Sequence, residues 1–145
     1  MRRIVELFNA AGVERVVHTG DVTQAKTLEV LAGLQASLTG VFGNNDEREA
    51  LRSVASRVGF ALSEPPLRVV WAGRQVVIVH DPAELDHRTA AGADVVLHGH
   101  VHRRVIERHA GRLVFNPGEC AGHLVGHNAV GVLDLATLEP TLLHF

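Results

Sequence analysis

Three histidines stand at alternate positions where a short apolar run ends, in Leu97-His98-Gly99-His100-Val101-His102. Neutral imidazole nitrogens are common ligands for divalent transition metals, and Gly99 lets the backbone turn so that two rings can approach one point. Asp94 and the apolar residues 95–97 predict a short buried strand, and ligands of open α/β sheets bind at the carboxyl ends of strands. Any one histidine here is typical of a polar surface, so a metal site requires further ligands elsewhere in the chain.

Three more candidate ligands come directly after predicted strands: Asp21 after 15–19, Asn44 after 39–42 and His80 after 75–79. Asp21 and Asn44 each follow a glycine, as His100 does, although Gly-Asp pairs are most often turns. The combined set has one carboxylate that can bridge two cations, one neutral amide and three imidazoles. Such a set suits a pair of transition-metal ions about 3.5–4 Å apart, the arrangement that activates water and clamps a phosphoryl group.

Helix-capping signals overlap this set and offer a structural interpretation of some acidic residues. Asp46 with Glu49 has capping-box spacing, and Asp81 stands before Pro82 at a second helix start. The tetrad around Asp46 therefore allows a helix-capping role for Asp46 alone, and we assign Asp81 to capping first. Thr23 is the expected N-cap of the preceding helix.

The elements that must position these residues divide the chain into two halves. In the first half, helices are predicted at 4–11, 24–33 and 47–58, beside the first strands. In the second half, β-hairpins are predicted at 67–79 and 105–115 and closing strands at 128–135 and 141–145. Helices concentrated in one half and hairpins in the other indicate a layered α/β sandwich rather than a purely parallel sheet.

Composition places the chain among ordinary globular domains. Its 145 residues are 46% hydrophobic and 21% charged, which predicts one domain over 1–145. A net charge of −2 lacks the basic excess of a nucleic-acid-binding domain, so a nucleic-acid partner is disfavoured. The single cysteine, Cys120, excludes an internal disulfide and fits a reduced cytosol. With no apolar run of transmembrane length and no signal peptide, we expect a cytoplasmic protein without a membrane partner.

In order and spacing, five motifs resemble the calcineurin-like metallophosphoesterases: Gly20-Asp21, Gly43-Asn44-Asn45-Asp46, His80, Gly99-His100-Val101-His102 and Asn116-Pro117-Gly118. The likeness covers almost the whole chain and is greatest to the small, single-domain bacterial and archaeal phosphodiesterases. It implies an α/β/β/α sandwich of two mixed sheets flanked by helices. It also implies a metal-dependent phosphoesterase that hydrolyses phosphodiesters, with a small phosphate ester as substrate and a metal-bound hydroxide as nucleophile.

By this resemblance Asp21 would bridge two divalent ions. The remaining ligands would be His102 for the first ion, and Asn44, His80 and His100 for the second. Mixed nitrogen and oxygen sites accept manganese, which we expect, and also nickel, zinc or iron. Asn45 stands where larger relatives have a histidine that assists the leaving group; its amide can donate a hydrogen bond to phosphate but cannot supply a proton.

Three other histidines receive structural interpretations. His18 lies inside a predicted strand and is expected to pack beside the site rather than to bind metal. His123 and His127 could approach the mouth of the site, but a surface loop is the preferred interpretation.

The family begins with a buried strand ending in Asp-x-His, which supplies two ligands of the first ion, and the sequence shows no match to it. The resemblance therefore predicts an N-terminally incomplete domain without its first strand, an impaired first ion site, low stability and possible homo-oligomers. The alternative functions are a non-catalytic protein-interaction scaffold on the same fold, similar to the retromer subunit of this superfamily, and a passive metal-binding or phosphate-sensing domain.

Overall fold

The computed structural model describes residues 1–123 and 126–145 of the chain. The helices are α1 (Arg2–Ala11), α2 (Ala25–Leu31) and α3 (Arg48–Val58), with a short 3₁₀ helix at Pro82–Glu84. The strands are β1 (Arg15–His18), β2 (Ser37–Val41), β3 (Ala61–Ser63), β4 (Leu67–Trp71), β5 (Arg74–Ile78), β6 (Val95–Leu97), β7 (Val105–His109), β8 (Arg112–Asn116), β9 (Ala129–Asp134) and β10 (Glu139–His144).

The described strands form three sheets. The first is parallel, in the order β1-β2-β3, and the second is mixed, in the order β4-β5-β6-β8-β7. The hairpins β4-β5 and β7-β8 are the antiparallel parts of the second sheet, and β9-β10 is a separate antiparallel pair. The α/β architecture with helices beside mixed strands is therefore confirmed.

Apolar side chains form layers on both faces of the second sheet. Val76 and Ile78 of β5 face the space between the sheets, where they pack with Val41 of β2. Val77 and Val79 point to the opposite face, as the alternation of a strand requires, and form a smaller cluster there. A third cluster lies between the first sheet and the helices, with Leu28, Leu38 and Leu51 among its buried members.

Most predicted helices and hairpins are found with small shifts at their ends. Gly12 ends α1 in the left-handed conformation with φ 63°, which a residue without Cβ adopts at little cost. The N-cap prediction for Thr23 is wrong, because Gln24 is the N-cap residue of α2 and Thr23 lies in the preceding loop at φ 70°. Strand β3 was not predicted, because its three residues are too few to show a periodic pattern.

None of the helices formed by the described residues is both long and apolar enough to span a bilayer. Beside β1, a groove of about 1050 Å³ runs between the layers, lined by all of β1 and β9 and by part of α1. Among the described residues, β1 pairs only with β2, and β9 pairs only with β10. Each strand therefore has an edge without a strand partner.

Candidate metal centre

The candidate ligands are carried by loops that follow four strands. The loop after β1 carries Asp21, and the loop after β2 carries Asn44. On the second sheet, His80 follows β5 and His100 follows β6. Neighbouring parallel strands end at the same edge of their sheet, as β1 and β2 do in the first sheet and β5 and β6 in the second. The ligand loops of the two sheets therefore meet at these edges.

His80 stands at the centre of this group. Its ring is buried, and its Nδ1–H donates a hydrogen bond to the backbone oxygen of Thr19 over 2.8 Å. Its other nitrogen, Nε2, is 2.9 Å from Asn44 Oδ1 and 3.1 Å from His100 Nδ1. Asp21 Oδ2 lies 3.5 Å from the same nitrogen.

These distances test whether the residues present fit a cation. In a neutral His80 whose proton is on Nδ1, Nε2 carries a lone pair, as do Asn44 Oδ1 and Asp21 Oδ2. Lone pairs facing one another at hydrogen-bond distance repel unless a positive charge lies among them. The ligand atoms of Asp21, His80 and His100 lie within 4.8 Å of one another, and two nitrogens with two oxygens suit a borderline divalent ion. The group therefore fits a metal ion.

His102 lies outside this group. Its exposed ring stacks on that of His123, with centroids 6.2 Å apart and an interplanar angle of 29°. It lines the same groove as Asp21 and His100. The structure thus brings four of the five predicted ligands together and leaves His102 beside them.

Two glycines allow the ligand loops to approach so closely. A Cβ on Gly43 would overlap Asp21 Oδ1 and the Asp21 backbone nitrogen, so any larger residue would push the two loops apart. A Cβ on Gly20 would lie 2.5 Å from His80 Nδ1, and Gly20 also has a φ of 97°. The glycines before Asp21 and Asn44 are therefore required by close packing between loops.

Three of the predicted ligands have backbones in the left-handed region. Asp21, His100 and His102 have φ values of 59°, 63° and 50°. Each such residue costs on the order of 1–3 kcal/mol and persists only where the surroundings enforce it, commonly at binding sites.

The expectation that Asp46 caps a helix is wrong. The N-cap residue of α3 is Glu47, whose side chain makes no capping hydrogen bond. The Asp46 carboxylate instead accepts hydrogen bonds from the backbone N–H groups of Asp21 at 3.1 Å, Thr23 at 2.6 Å and Gly43 at 2.7 Å. Asp46 thus joins the loops that carry Asp21 and Asn44, a role that its sequence neighbours did not indicate.

Asn45 binds both oxygens of Asp21. Its backbone N–H donates to Oδ1 and its side-chain amide donates to Oδ2, each over 2.9 Å. Partial burial acts to raise the pKa of Asp21, but these hydrogen bonds and the nearby His80 and His100 outweigh it, so the pKa lies below its usual value. Asp21 is therefore ionised at neutral pH, as a metal ligand must be.

Asn116, the buried last residue of β8, stabilises the histidine-rich turn. Its amide nitrogen donates to the backbone oxygen of Gly99 over 3.2 Å, and its Oδ1 accepts from Gly118 N over 2.9 Å. His98 is buried beside it, and burial lowers the pKa of His98. His98 Nδ1 lies 3.1 Å from the backbone oxygen of Gly99, so His98 supports the turn as a neutral ring.

His18 packs beside the site as expected. Its Nδ1 accepts a hydrogen bond from Gly20 N over 3.2 Å, which orders the turn before Asp21. Burial, the largest influence, lowers the pKa of His18. His123 and His127 are exposed, in agreement with a surface loop.

Together, the layered α/β fold and the Asp-Asn-His-His group at the strand ends define an α/β protein with a candidate metal site. Residues 1–138 match the sequence model of the calcineurin-like phosphoesterase superfamily domain, and the chain belongs to this family.

Individual relatives agree with this assignment. The chain is 33% identical over 144 residues to phosphodiesterase MJ0936 of Methanocaldococcus jannaschii, which covers 96% of this chain and 87% of that protein. It is also similar to the solved structure of an archaeal phosphodiesterase, with a TM-score of 0.89 and 31% identity, over 98% of this chain and 89% of the other. Vps29 of Entamoeba histolytica, solved with Zn²⁺, has a TM-score of 0.69 at 18% identity, over 98% of this chain and 80% of the other. At that identity the likeness to Vps29 shows the fold alone.

Proposed function

We propose that this protein is a metal-dependent phosphodiesterase acting on a small phosphate ester. The observation that carries the proposal is the convergence of Asp21, Asn44 and His100 on His80 Nε2, whose ring donates its proton elsewhere. Membership of the phosphoesterase family and the likeness to a phosphodiesterase support the reaction class.

Each predicted ligand has a stated role in this proposal. Asp21, Asn44, His80 and His100 hold one divalent ion, and Asp21 with His102 contributes to a second. We expect manganese, and the same ligand types accept nickel, zinc or iron. Bound ions would lower the pKa of a water molecule and neutralise charge on the phosphoryl group.

Asn45 is the residue proposed to contact the substrate. Its side-chain amide already points at the centre of the site, where it donates to Asp21 Oδ2. The same N–H group can donate to a phosphate oxygen and orient the ester. An amide has no proton to transfer at neutral pH, so the enzyme should prefer esters with stable leaving groups.

The test begins with metal content. After dialysis against Mn²⁺ and then metal-free buffer, the wild-type chain should retain metal that a His80→Ala, His100→Ala double variant does not. The matched control is His87→Ala with His144→Ala, which removes two exposed histidines that lie away from the ligand group. Equal metal content in the wild type and the His80/His100 variant would contradict the proposed site.

The second part of the test is hydrolysis of an activated phosphodiester in excess Mn²⁺. We expect turnover by the wild type, and a loss in Asn45→Ala of roughly 10²-fold or more, the scale of one transition-state hydrogen bond. Asn45→Ala should still bind metal, because the ion's four proposed ligands remain.

A protein-interaction scaffold on the same fold is the second candidate function. The groove between the unpaired edges of β1 and β9 favours it, because an extended partner segment can add to an open strand edge. Bound metal without hydrolysis of any phosphodiester or phosphomonoester tested would support this function over the first.

A further inference from the structure

Asp81 contacts two different groups with its two carboxylate oxygens. Oδ1 accepts a hydrogen bond from Ala83 N over 2.8 Å, which confirms its predicted role as the cap of the short helix Pro82–Glu84. Oδ2 lies 3.6 Å from Nε2 of His100. Capping accounts for the first oxygen only, and the second faces the ring of a proposed metal ligand.

The orientation of His100 decides what its Nε2 can do. Its Nδ1 faces the ligand group, 3.1 Å from His80 Nε2. An imidazole binds a cation through its unprotonated nitrogen, so when Nδ1 binds the ion, the ring proton is on Nε2. That N–H then faces a carboxylate already held in place through its other oxygen.

The ring of His100 is not fully fixed by packing against its neighbours. Its side chain is 40% exposed, whereas that of His80 is only 4% exposed. The two rings meet edge to face, with centroids 4.9 Å apart, so packing restricts the His100 ring on one side only. A fixed negative charge at Nε2 would restrict the ring's rotation and make Nδ1 a better electron donor.

We propose that Asp81 is a positioning residue, which orients His100 for metal binding and increases the affinity of the site for a divalent cation. The inference rests on the proposed metal site and adds a residue that does not itself bind the ion. A single dipeptide, His80-Asp81, then supplies one ligand and the carboxylate that positions another. Loss of a carboxylate of this kind typically lowers metal affinity 10–100-fold, and we expect about tenfold here.

The experiment measures Zn²⁺ affinity by calorimetry with zinc as the only added ligand. Asp81→Asn and Asp81→Ser both keep a side-chain oxygen for the Ala83 N–H but remove the charge, and each should bind Zn²⁺ about tenfold more weakly than the wild type. The matched control is Asp86→Asn, because Asp86 is an exposed aspartate whose oxygen likewise accepts a backbone hydrogen bond, from Thr89 N. This control should bind as the wild type does.

Three further readouts separate positioning from folding. The unfolding midpoint of the metal-free protein should be the same in Asp81→Asn as in the wild type. Nitrogen NMR of the zinc-bound wild type should show His100 protonated at Nε2. In a His100→Gln background, Asp81→Asn should cost less than twofold in affinity, since the ring on which it acts is absent.

The outcomes distinguish this inference from the proposed function. Wild-type affinity in both Asp81 variants, or an equal loss in the two backgrounds, would overturn the positioning role while leaving the metal site intact. A wild-type chain that binds no Zn²⁺ or Mn²⁺ would overturn the metal site itself, and this inference with it.

Discussion

The Asp46 carboxylate stabilises the loops of the candidate site without being one of the proposed metal ligands. Its two oxygens accept three backbone hydrogen bonds, from Gly43 three positions away and from Asp21 and Thr23, which are 25 and 23 positions away. The N–H groups of Asp21 and Gly43 would otherwise lack partners in a partly buried place, and an unsatisfied buried donor costs about 1–3 kcal/mol. The carboxylate therefore sets the spacing between Asp21 and Asn44.

Replacing Asp46 should weaken both the fold and the metal site. We expect Asp46→Ala to lower the free energy of unfolding by about 2–4 kcal/mol, since it leaves more than one backbone donor unpaired, and to reduce metal affinity because the loops separate. Urea unfolding of the metal-free protein measures the first effect. Glu49→Ala is the control: in a capping box it would matter as well, whereas the structure predicts almost no change.

Two histidines whose pKa is lowered in the folded protein make stability depend on pH. Burial lowers the pKa of His18 and His98, so near pH 6.5 and below the unfolded chain binds protons that the folded chain does not. Their contribution to stability is complete above the ordinary histidine pKa of about 6.5 and is lost as pH falls toward the lowered values. Stability of the metal-free protein should therefore decrease between about pH 7 and about pH 5.

A variant of His18 can show how much of this pH dependence of stability comes from His18. In His18→Asn the amide oxygen can replace Nδ1 as the acceptor for Gly20 N, but the side chain does not titrate. The variant should lose stability less steeply on acidification, as measured by urea unfolding across this pH range. His109→Asn, at an exposed position, should keep the wild-type slope. A wild-type slope in His18→Asn would show that His18 does not contribute.

At the scale of elements, the site depends on two sheets whose strands end together. Asp21 and Asn44 belong to loops of the parallel sheet, and His80 and His100 belong to loops of the mixed sheet. The loops can approach one another because glycines lie where they cross. The site therefore requires both the shared position of the strand ends and these glycines. A metal ion bound there would connect the two sheets.

Gly43→Ala tests this close approach. The added methyl group would overlap Asp21, which should displace the carboxylate, destabilise the fold by about 1–3 kcal/mol and lower metal affinity at least tenfold. Calorimetry with Zn²⁺ and thermal unfolding measure the two effects. Gly33→Ala is the control, since a Cβ there would meet its nearest neighbour, Val5 Cγ1, at 3.3 Å, far from the ligands. Unchanged affinity in Gly43→Ala would mean that the loops tolerate separation.

At the scale of the whole molecule, a groove of about 1050 Å³ lies beside β1 and β9. Of the strands that line it, β1 and β9 each have an edge without a strand partner among the described residues, and the groove's walls include apolar side chains of β1, α1 and β9. Open edges of this kind pair with other extended chains. The predicted homo-oligomer therefore has a structural basis in the groove.

We expect the 145-residue chain to self-associate as its concentration rises, because copies can pair through these edges. Sedimentation velocity over a range of concentrations measures this. Val132→Lys places a charge on β9 within the groove and should shift the protein toward monomer. Val70→Lys makes the same change at an exposed position on β4, outside the groove, and should leave association unchanged. A wild type that stays monomeric at all concentrations would contradict the expectation.

The local sequence determined which residues could carry chemistry and which element each would follow. Strand periodicity and the glycine before a ligand are properties of adjacent residues, so local patterns alone place Asp21, Asn44, His80 and His100 at the ends of strands. The three helices and two hairpins followed from equally local signals. The family resemblance extended this to the fold, which the match over residues 1–138 confirms.

Only the tertiary structure decided how these residues meet. The contact between His80 and Asn44 joins positions 36 residues apart, and the hydrogen bond from Asp21 N to Asp46 joins positions 25 apart. Capping-box spacing gave Asp46 a plausible local role, but the unpaired N–H groups of a distant loop bind it instead. The ring orientation of His100 and the position of His102 beside His123 likewise depend on packing between loops, because distances between side chains on different strands are set by sheet register and not by neighbours in sequence.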